Sequence, residues 1–162
     1  MNNADLIDRI NGELSDLDRT VQRVNRAWIK AQHHPNEEDL LLDSVALNLH
    51  AFYSGIESLL EHIARSVDGS IPKGKAWHRQ LLIQMSRDVA SYRPAVISEE
   101  ICKQLDDYRR FRHLVRNVYA INLRSDRLSK LVKQLADIWK QTRAELGAFA
   151  EFLQTQSDIF HS

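Results

Sequence analysis

The chain contains few of the residues that interrupt helices or crosslink a fold. Its 162 residues include one cysteine, five glycines and three prolines. Cys102 therefore has no partner for an intrachain disulfide, which is typical of a reducing compartment. No apolar run approaches the roughly 18 residues that cross a bilayer, and the N-terminus lacks the basic and apolar regions of a signal peptide. We therefore expect a cytoplasmic protein without a membrane partner.

The composition is that of an ordinary globular domain. Hydrophobic residues make up 43% of the chain and charged residues 27%, so neither value indicates disorder. The 22 basic and 22 acidic residues leave no net charge, which means that any binding of an anion must depend on local charge. The length is sufficient to bury a core without disulfides or metal ions. We expect one domain over residues 1–162.

Helical periodicity covers most of the first half of the chain. Apolar residues recur every three or four positions over residues 6–28, which predicts one long amphipathic helix. Its seam suits either an intrachain bundle or a dimer. A second helix is expected over about 37–67, as the central and most buried one. Gly55 lies inside this pattern, which indicates close approach by another helix.

The second half continues the same pattern. A shorter helix is predicted over 77–89, and a fourth begins at Ser98, where a capping hydroxyl precedes two acids. A fifth is predicted to follow a cap near Ser125. The sequence shows neither strand alternation nor an internal repeat. The predicted fold is an all-α bundle of about five helices.

The loop before the third helix carries a second group of polar residues. Lys73 and Lys75 precede an aromatic-histidine pair, Trp77 and His78. This arrangement suits contact with a phosphate backbone. The other interpretation is a flexible charged turn, and the sequence leaves both interpretations open.

Positive charge is concentrated in the fourth helix. Four arginines and one histidine lie within residues 109–116. Of these, Arg109, Arg112, His113 and Arg116 have the spacing i, i+3, i+4 and i+7, which predicts one helical face. Like charges at this spacing slightly destabilise an isolated helix, so local stability does not explain them. An anionic partner would explain why these charges lie together.

Such a face suits the cleavage of RNA without a metal. That reaction needs positive charge at the phosphate, a base for the 2′-hydroxyl proton and an acid for the leaving oxygen. Arg112, Arg116, His113 and Tyr119 have the required chemistry. Arginine-rich helices also bind nucleic acids or acidic proteins without cleaving them. A further interpretation is that the arginines pair with nearby carboxylates, namely those of Glu57, Glu61, Asp106 and Asp107.

Residues 111–119, Phe-Arg-His-Leu-Val-Arg-Asn-Val-Tyr, resemble the signature helix of the HEPN superfamily, in particular the HepT-like toxins of bacterial toxin-antitoxin pairs. The family motif is arginine, a polar residue, three further residues, histidine, any residue and tyrosine. Arg112 matches the arginine, His113 the polar residue and Tyr119 the tyrosine. Asn117 stands where the histidine is expected.

A second block, formed by residues 49–57 and 72–78, also resembles the HepT-like branch, so the similarity covers roughly residues 40–135. The resemblance implies a four-helix core with a shorter helix, a homodimer that joins two signature helices, and cleavage of RNA to a cyclic phosphate end without a metal ion or cofactor. It also implies a small nucleotidyltransferase antitoxin. In some members that antitoxin transfers AMP to the tyrosine that matches Tyr119.

The asparagine leaves two functional hypotheses. In the first, His113 is the general base or acid, Arg112 and Arg116 hold the phosphate with Arg109 nearby, and Asn117 positions His113 from one turn away. In the second, the missing histidine leaves a non-catalytic module that binds RNA, a nucleotide or a nucleotidyltransferase. The two hypotheses differ in whether bound RNA is cleaved.

Overall fold

The structure, a computed structural model, describes residues 2–117 and 125–162, and within these ranges all side chains except those of residues 116, 117 and 125. The described residues form five α-helices: α1 (Asn3–His33), α2 (Glu38–Ile63), α3 (Trp77–Met85), α4 (Glu99–Asn117) and α5 (Ser125–His161). This confirms the all-α class and the helix number. Over the same ranges, none of the helices combines the length and apolar character needed to cross a membrane.

The four long helices form the core, and α3 is the short helix. Helix α1 packs against α2 and α5, while α2 contacts each of the other four. The apolar stripe of α1, which includes Leu6, Ile10 and Val24, is buried inside the chain. The predicted seam therefore serves the intrachain bundle. Helix α2 is the central helix, as its pattern predicted, and a π-helical turn (Ala64–Asp68) extends it.

Gly55 marks a close approach of α1 to α2. A Cβ atom on Gly55 would lie 2.9 Å from Cδ2 of Leu17, which is closer than packed carbon atoms approach. The prediction of a close helix contact at this glycine is confirmed. One turn earlier on α2, the Phe52 ring makes edge-on contacts with Tyr108 at 5.5 Å and Trp139 at 5.9 Å. These contacts join α2 to α4 and α5.

Helix α3 ends earlier than predicted. The pattern suggested residues 77–89, but the helix stops at Met85 and Val89 is 40% exposed. The backbone N–H of Val89, which would donate to Met85 in a continued helix, donates instead to the carbonyl of Arg93 at 2.9 Å. The Met85 carbonyl accepts from Val96 at 2.8 Å. The segment after Met85 therefore turns back, and its hydrogen bonds take the place of the next turn of α3.

Arg93 stabilises the segment that turns back after Met85. Its buried guanidinium donates to both carboxylate oxygens of Asp68, at 2.6 and 2.8 Å. It also donates to the backbone carbonyls of Gln84, Arg87 and Pro94. Because these contacts join the end of α2 to the segment between α3 and α4, they fix the position of α3 beside α4.

Candidate functional site

Two contacts of α4, one near its start and one near its middle, determine which of its side chains face the core. Ser98 caps the helix, since its hydroxyl accepts from the Ile101 N–H at 3.2 Å, which confirms the predicted start. Further along, Tyr108 is fully buried and its hydroxyl donates to the Leu131 carbonyl of α5 at 2.8 Å. With Tyr108 and Phe111 facing the core, Arg112 also faces inward.

Arg112 lies in a buried polar cluster between α2 and α4. Its Nη2 atom donates to the two carboxylate oxygens of Glu57, at 3.0 and 2.9 Å, and its Nη1 atom donates to the Ser54 hydroxyl at 3.3 Å. The guanidinium carbon lies 4.7 Å from the centre of the Tyr53 ring, a cation–π distance. The predicted pairing of Glu57 with an arginine of the basic stretch is therefore confirmed.

His78 joins this cluster from α3. Its Nδ1 atom lies 2.8 Å from a Glu57 carboxylate oxygen and 3.2 Å from Nη2 of Arg112. A bond to the carboxylate places the proton on Nδ1, which leaves the lone pair of neutral imidazole on Nε2. The side chain is 30% exposed, so solvent reaches the ring. An imidazole oriented by a carboxylate in this way is the arrangement of a general base.

Trp77 supports the imidazole from one side. The two rings are stacked with their centres 3.8 Å apart and an angle of 31° between their planes. Helical periodicity does not connect His78 with α4, because 34 residues separate it from Arg112. Its neighbouring lysines, Lys73 and Lys75, are exposed.

Tyr53 forms the apolar side of the cluster. Its ring is fully buried, and in the described part of the chain its hydroxyl has no hydrogen-bond partner. Burial raises the pKa of Tyr53 far above its usual range, and the negative charge of Glu57 raises it further. Tyr53 therefore stays neutral and supports the Arg112 guanidinium with its ring face.

The neighbouring arginines of α4 pair with acids of their own helix. The Nε atom of Arg109 donates to Asp106 at 2.6 Å, and Arg110 lies 2.7 Å from Asp107. Glu61, another predicted partner, pairs instead with Arg65 at 2.8 Å. Of the arginines predicted to bind phosphate, Arg109 and Arg112 thus both contact carboxylates, as the ion-pair interpretation expected.

His113 follows Arg112 but lies on the outer side of α4. Its side chain is exposed, whereas that of Arg112 is buried, so the predicted face is divided between core and solvent. The side chains of Arg116 and Asn117, and all of Tyr119, lie outside the described residues. Their roles remain predictions from the sequence.

The described side chains offer no cluster of three or more histidine, cysteine or acidic residues suited to a metal ion. The junction of α2, α3 and α4 brings together an imidazole, a carboxylate and a guanidinium group. Such a set can orient an imidazole and transfer protons.

Comparison with protein families links this architecture to known proteins. A family model described as HepT-like protein matches residues 44–153, which is more than half of the chain. The matched part begins in α2 and ends in α5, so it contains Glu57, His78 and Arg112. No curated protein and no solved structure matches the chain.

Proposed function

The chain belongs to the HepT-like protein family, and from this premise we propose that it is a metal-independent endoribonuclease of the HEPN type. The observation that supports the proposal is the imidazole of His78, which is held by Glu57 at 2.8 Å and reached by solvent. Asn117 occupies the position of the motif histidine, and an amide does not transfer protons near neutral pH. Proton transfer must therefore come from side chains at other positions.

Two imidazoles are proposed to share the chemistry. The Nε2 atom of His78 takes the proton of the 2′-hydroxyl, and the resulting oxygen attacks the adjacent phosphorus. The bond from phosphorus to the 5′ oxygen breaks as His113, in its protonated form, gives that oxygen a proton. The products are a cyclic phosphate and a free 5′-hydroxyl, and no metal ion takes part.

Arg112 is proposed to act through Glu57. The hypothesis from the sequence assigned phosphate binding to Arg112, but its guanidinium is buried and bonded to that carboxylate. Its task is therefore to hold Glu57 in the position that orients His78. Phosphate binding at the scissile bond is assigned to Arg116, with Arg109 as a second cation, and Asn117 positions His113.

A non-catalytic binding module is the second candidate. It is favoured by the neutralisation of Arg112 by Glu57, because a buried ion pair can serve the fold alone. In this case the protein binds RNA, a nucleotide or a nucleotidyltransferase, and bound RNA is not cleaved. The charged side chains of α4 would then provide affinity that decreases with added salt.

The proposal extends to a toxin-antitoxin pair. The family resemblance suggests a homodimer and a nucleotidyltransferase antitoxin that transfers AMP to Tyr119. Inspection of the neighbouring reading frame tests this first, and co-purification with its product tests it directly. A neighbour of unrelated chemistry that does not bind the protein would argue for a free-standing enzyme.

Cleavage is tested with purified protein, total RNA and a chelator. We expect the wild-type protein to leave cyclic phosphate ends, and His78→Ala and His113→Ala each to lower the rate by about 10²–10⁴-fold. His33→Ala is the matched control, since His33 is exposed at the end of α1. Intact RNA with the wild-type protein would reject the nuclease. Equal cleavage by either histidine variant would reject that residue's role.

Restoring the motif separates the two candidates. In Asn117→His, an imidazole occupies the position that the family motif specifies. A wild-type protein that only binds RNA and a variant that cleaves it would identify the chain as a binding module. A wild-type protein that already cleaves, with a variant of similar rate, would support proton transfer by His78 and His113.

A further inference from the structure

A groove with a cavity volume of about 480 Å³ lies between α3 and α4. Its apolar lining includes Leu82, Ile83 and Cys102. Four cationic side chains surround this surface: Arg79, Arg87, Lys103 and Arg110. The lining also includes two carboxylates, so the groove carries a local positive charge in a chain with no net charge.

Three of the four cations are available to a ligand. Arg79, Arg87 and Lys103 are exposed, and over residues 2–117 and 125–162 no carboxylate lies within ion-pair distance of them. Arg110, in contrast, pairs with Asp106 and Asp107. Unpaired cations on both sides of an apolar surface are suited to an anion with an apolar part, which describes a nucleotide.

The groove leads to the proposed site. Helices α3 and α4 run in opposite directions, since Ser86 and Cys102 line the groove together at one end, while His78 contacts Arg112 at the other. Arg79 is the residue next to His78. On α4, the path from Lys103 to Arg112 covers nine residues, or about 13 Å of helix. A chain of phosphates along the groove would therefore end beside the imidazole of His78.

We infer that this groove binds a single RNA strand and directs it to the proposed cleavage site. The phosphates contact Arg79, Arg87 and Lys103, and unpaired bases lie against Leu82 and Ile83. The apolar surface favours a single strand because bases inside a duplex are stacked on each other and do not reach it. The inference rests on the proposed RNA function and adds the form of the substrate and its path.

Binding to a labelled single-stranded 2′-O-methyl oligonucleotide tests the inference, because this probe cannot react through its 2′ oxygen. The groove variant replaces Arg79, Arg87 and Lys103 with alanine. We expect its Kd to increase by roughly tenfold or more. We also expect the slope of log K against log salt to decrease by about 2, since each phosphate contact on a single strand contributes about 0.7. Fluorescence anisotropy measures both.

The matched control removes the same charge from another surface. Arg23, Arg26 and Lys30 are exposed on α1, and their triple alanine variant should bind like the wild-type protein. Equal binding by the groove and control variants would overturn the inference. So would a duplex probe that binds as tightly as the single strand. If the wild-type protein neither binds nor cleaves RNA, the proposed function itself fails, and with it the inference.

Cys102 provides a second readout because it lines the groove and is the only cysteine in the chain. Burial raises the pKa of its thiol, so alkylation is best measured at alkaline pH. We expect the oligonucleotide to slow alkylation by N-ethylmaleimide in the wild-type protein but not in the groove variant. An unchanged rate at saturating oligonucleotide would place the strand elsewhere and overturn the inference.

Discussion

Two buried arginines contact opposite ends of α3, Arg112 at His78 and Arg93 at Gln84, and they differ in their other partners. The Arg93 side chain is fully buried and that of Arg112 is 7% exposed. Arg93 fills all five of its N–H donors with the Asp68 carboxylate and three backbone carbonyls. The described contacts of Arg112 are to side chains alone: a carboxylate, a hydroxyl, an imidazole and an aromatic ring.

The comparison shows that burial alone does not define the role of a charged residue. Backbone carbonyls neither titrate nor change rotamer, so the contacts of Arg93 determine where the chain turns. The partners of Arg112 include Glu57 and His78, which can take part in proton transfer. We therefore assign Arg93 to the fold and the Arg112 cluster to function, and the following experiments test that division in order of expected effect.

Removal of Arg93 should cause the largest loss of stability. Arg93→Met leaves three backbone carbonyls without their donor and the Asp68 carboxylate with Gln84 alone, which should lower the free energy of unfolding by about 3–5 kcal/mol. Urea unfolding measures it. Arg87→Met is the control, because that exposed side chain should change stability by less than about 0.5 kcal/mol. If both variants lose equally little, Arg93 does not hold the turn.

Removal of Arg112 should cost less, although it is almost as deeply buried. In Arg112→Met, His78 still contacts Glu57 at 2.8 Å, and among the described contacts no backbone carbonyl loses a donor. We expect a loss of about 1.5–3 kcal/mol, the range for hydrogen bonds to charged groups. The same unfolding measurement applies. A loss greater than that of Arg93→Met would make Arg112 the main structural arginine and reverse the comparison.

Removal of His78 should affect the fold least of the three. Arg112 continues to hold both oxygens of Glu57 in His78→Ala, and the lost side chain is already 30% exposed. The free energy of unfolding should therefore fall by less than about 1 kcal/mol, while RNA cleavage is largely lost. A stability loss as large as that of Arg112→Met would indicate a structural role instead.

Unfolding at acid pH should show the smallest and most specific difference between the wild-type protein and Arg93→Met. Burial raises the pKa of Asp68, but hydrogen bonds from Arg93 and Gln84 and the charge of Arg93 outweigh it and hold the pKa below its usual value. This contribution to stability is present above about pH 4 and is lost as the pH falls through the lowered pKa. Wild-type unfolding should thus depend on pH below 4 more steeply than unfolding of Arg93→Met. An equal pH dependence of unfolding in the two proteins would contradict the pairing of Arg93 with Asp68.

Local pattern predicted most of the fold. The spacing of apolar residues defined the five helices, and Gly55 indicated the close contact that brings Leu17 to it. Composition also allowed the pairing of Glu57 with an arginine of α4. These features depend on helix periodicity or on a single residue's shape, so they can be read without knowing which helices are neighbours.

The remaining features depend on contacts between distant segments. Arg93 ends α3 through Asp68, which is 25 residues earlier, and nothing near Met85 in the sequence signals that stop. His78 reaches Glu57 from 21 residues away. A histidine beside two lysines has no periodicity that identifies its partner. Only the packed arrangement of α2, α3 and α4 determines these contacts.

The stacking of Trp77 on His78 makes the indole an optical reporter. Indole emission depends on the groups that contact the ring, so an oligonucleotide that reaches His78 should change the emission of Trp77. Trp28→Phe removes one of the two other tryptophans, and Trp139 lies in the core against Phe52. The arrival of a strand at this imidazole can thus be followed in solution without any cleavage.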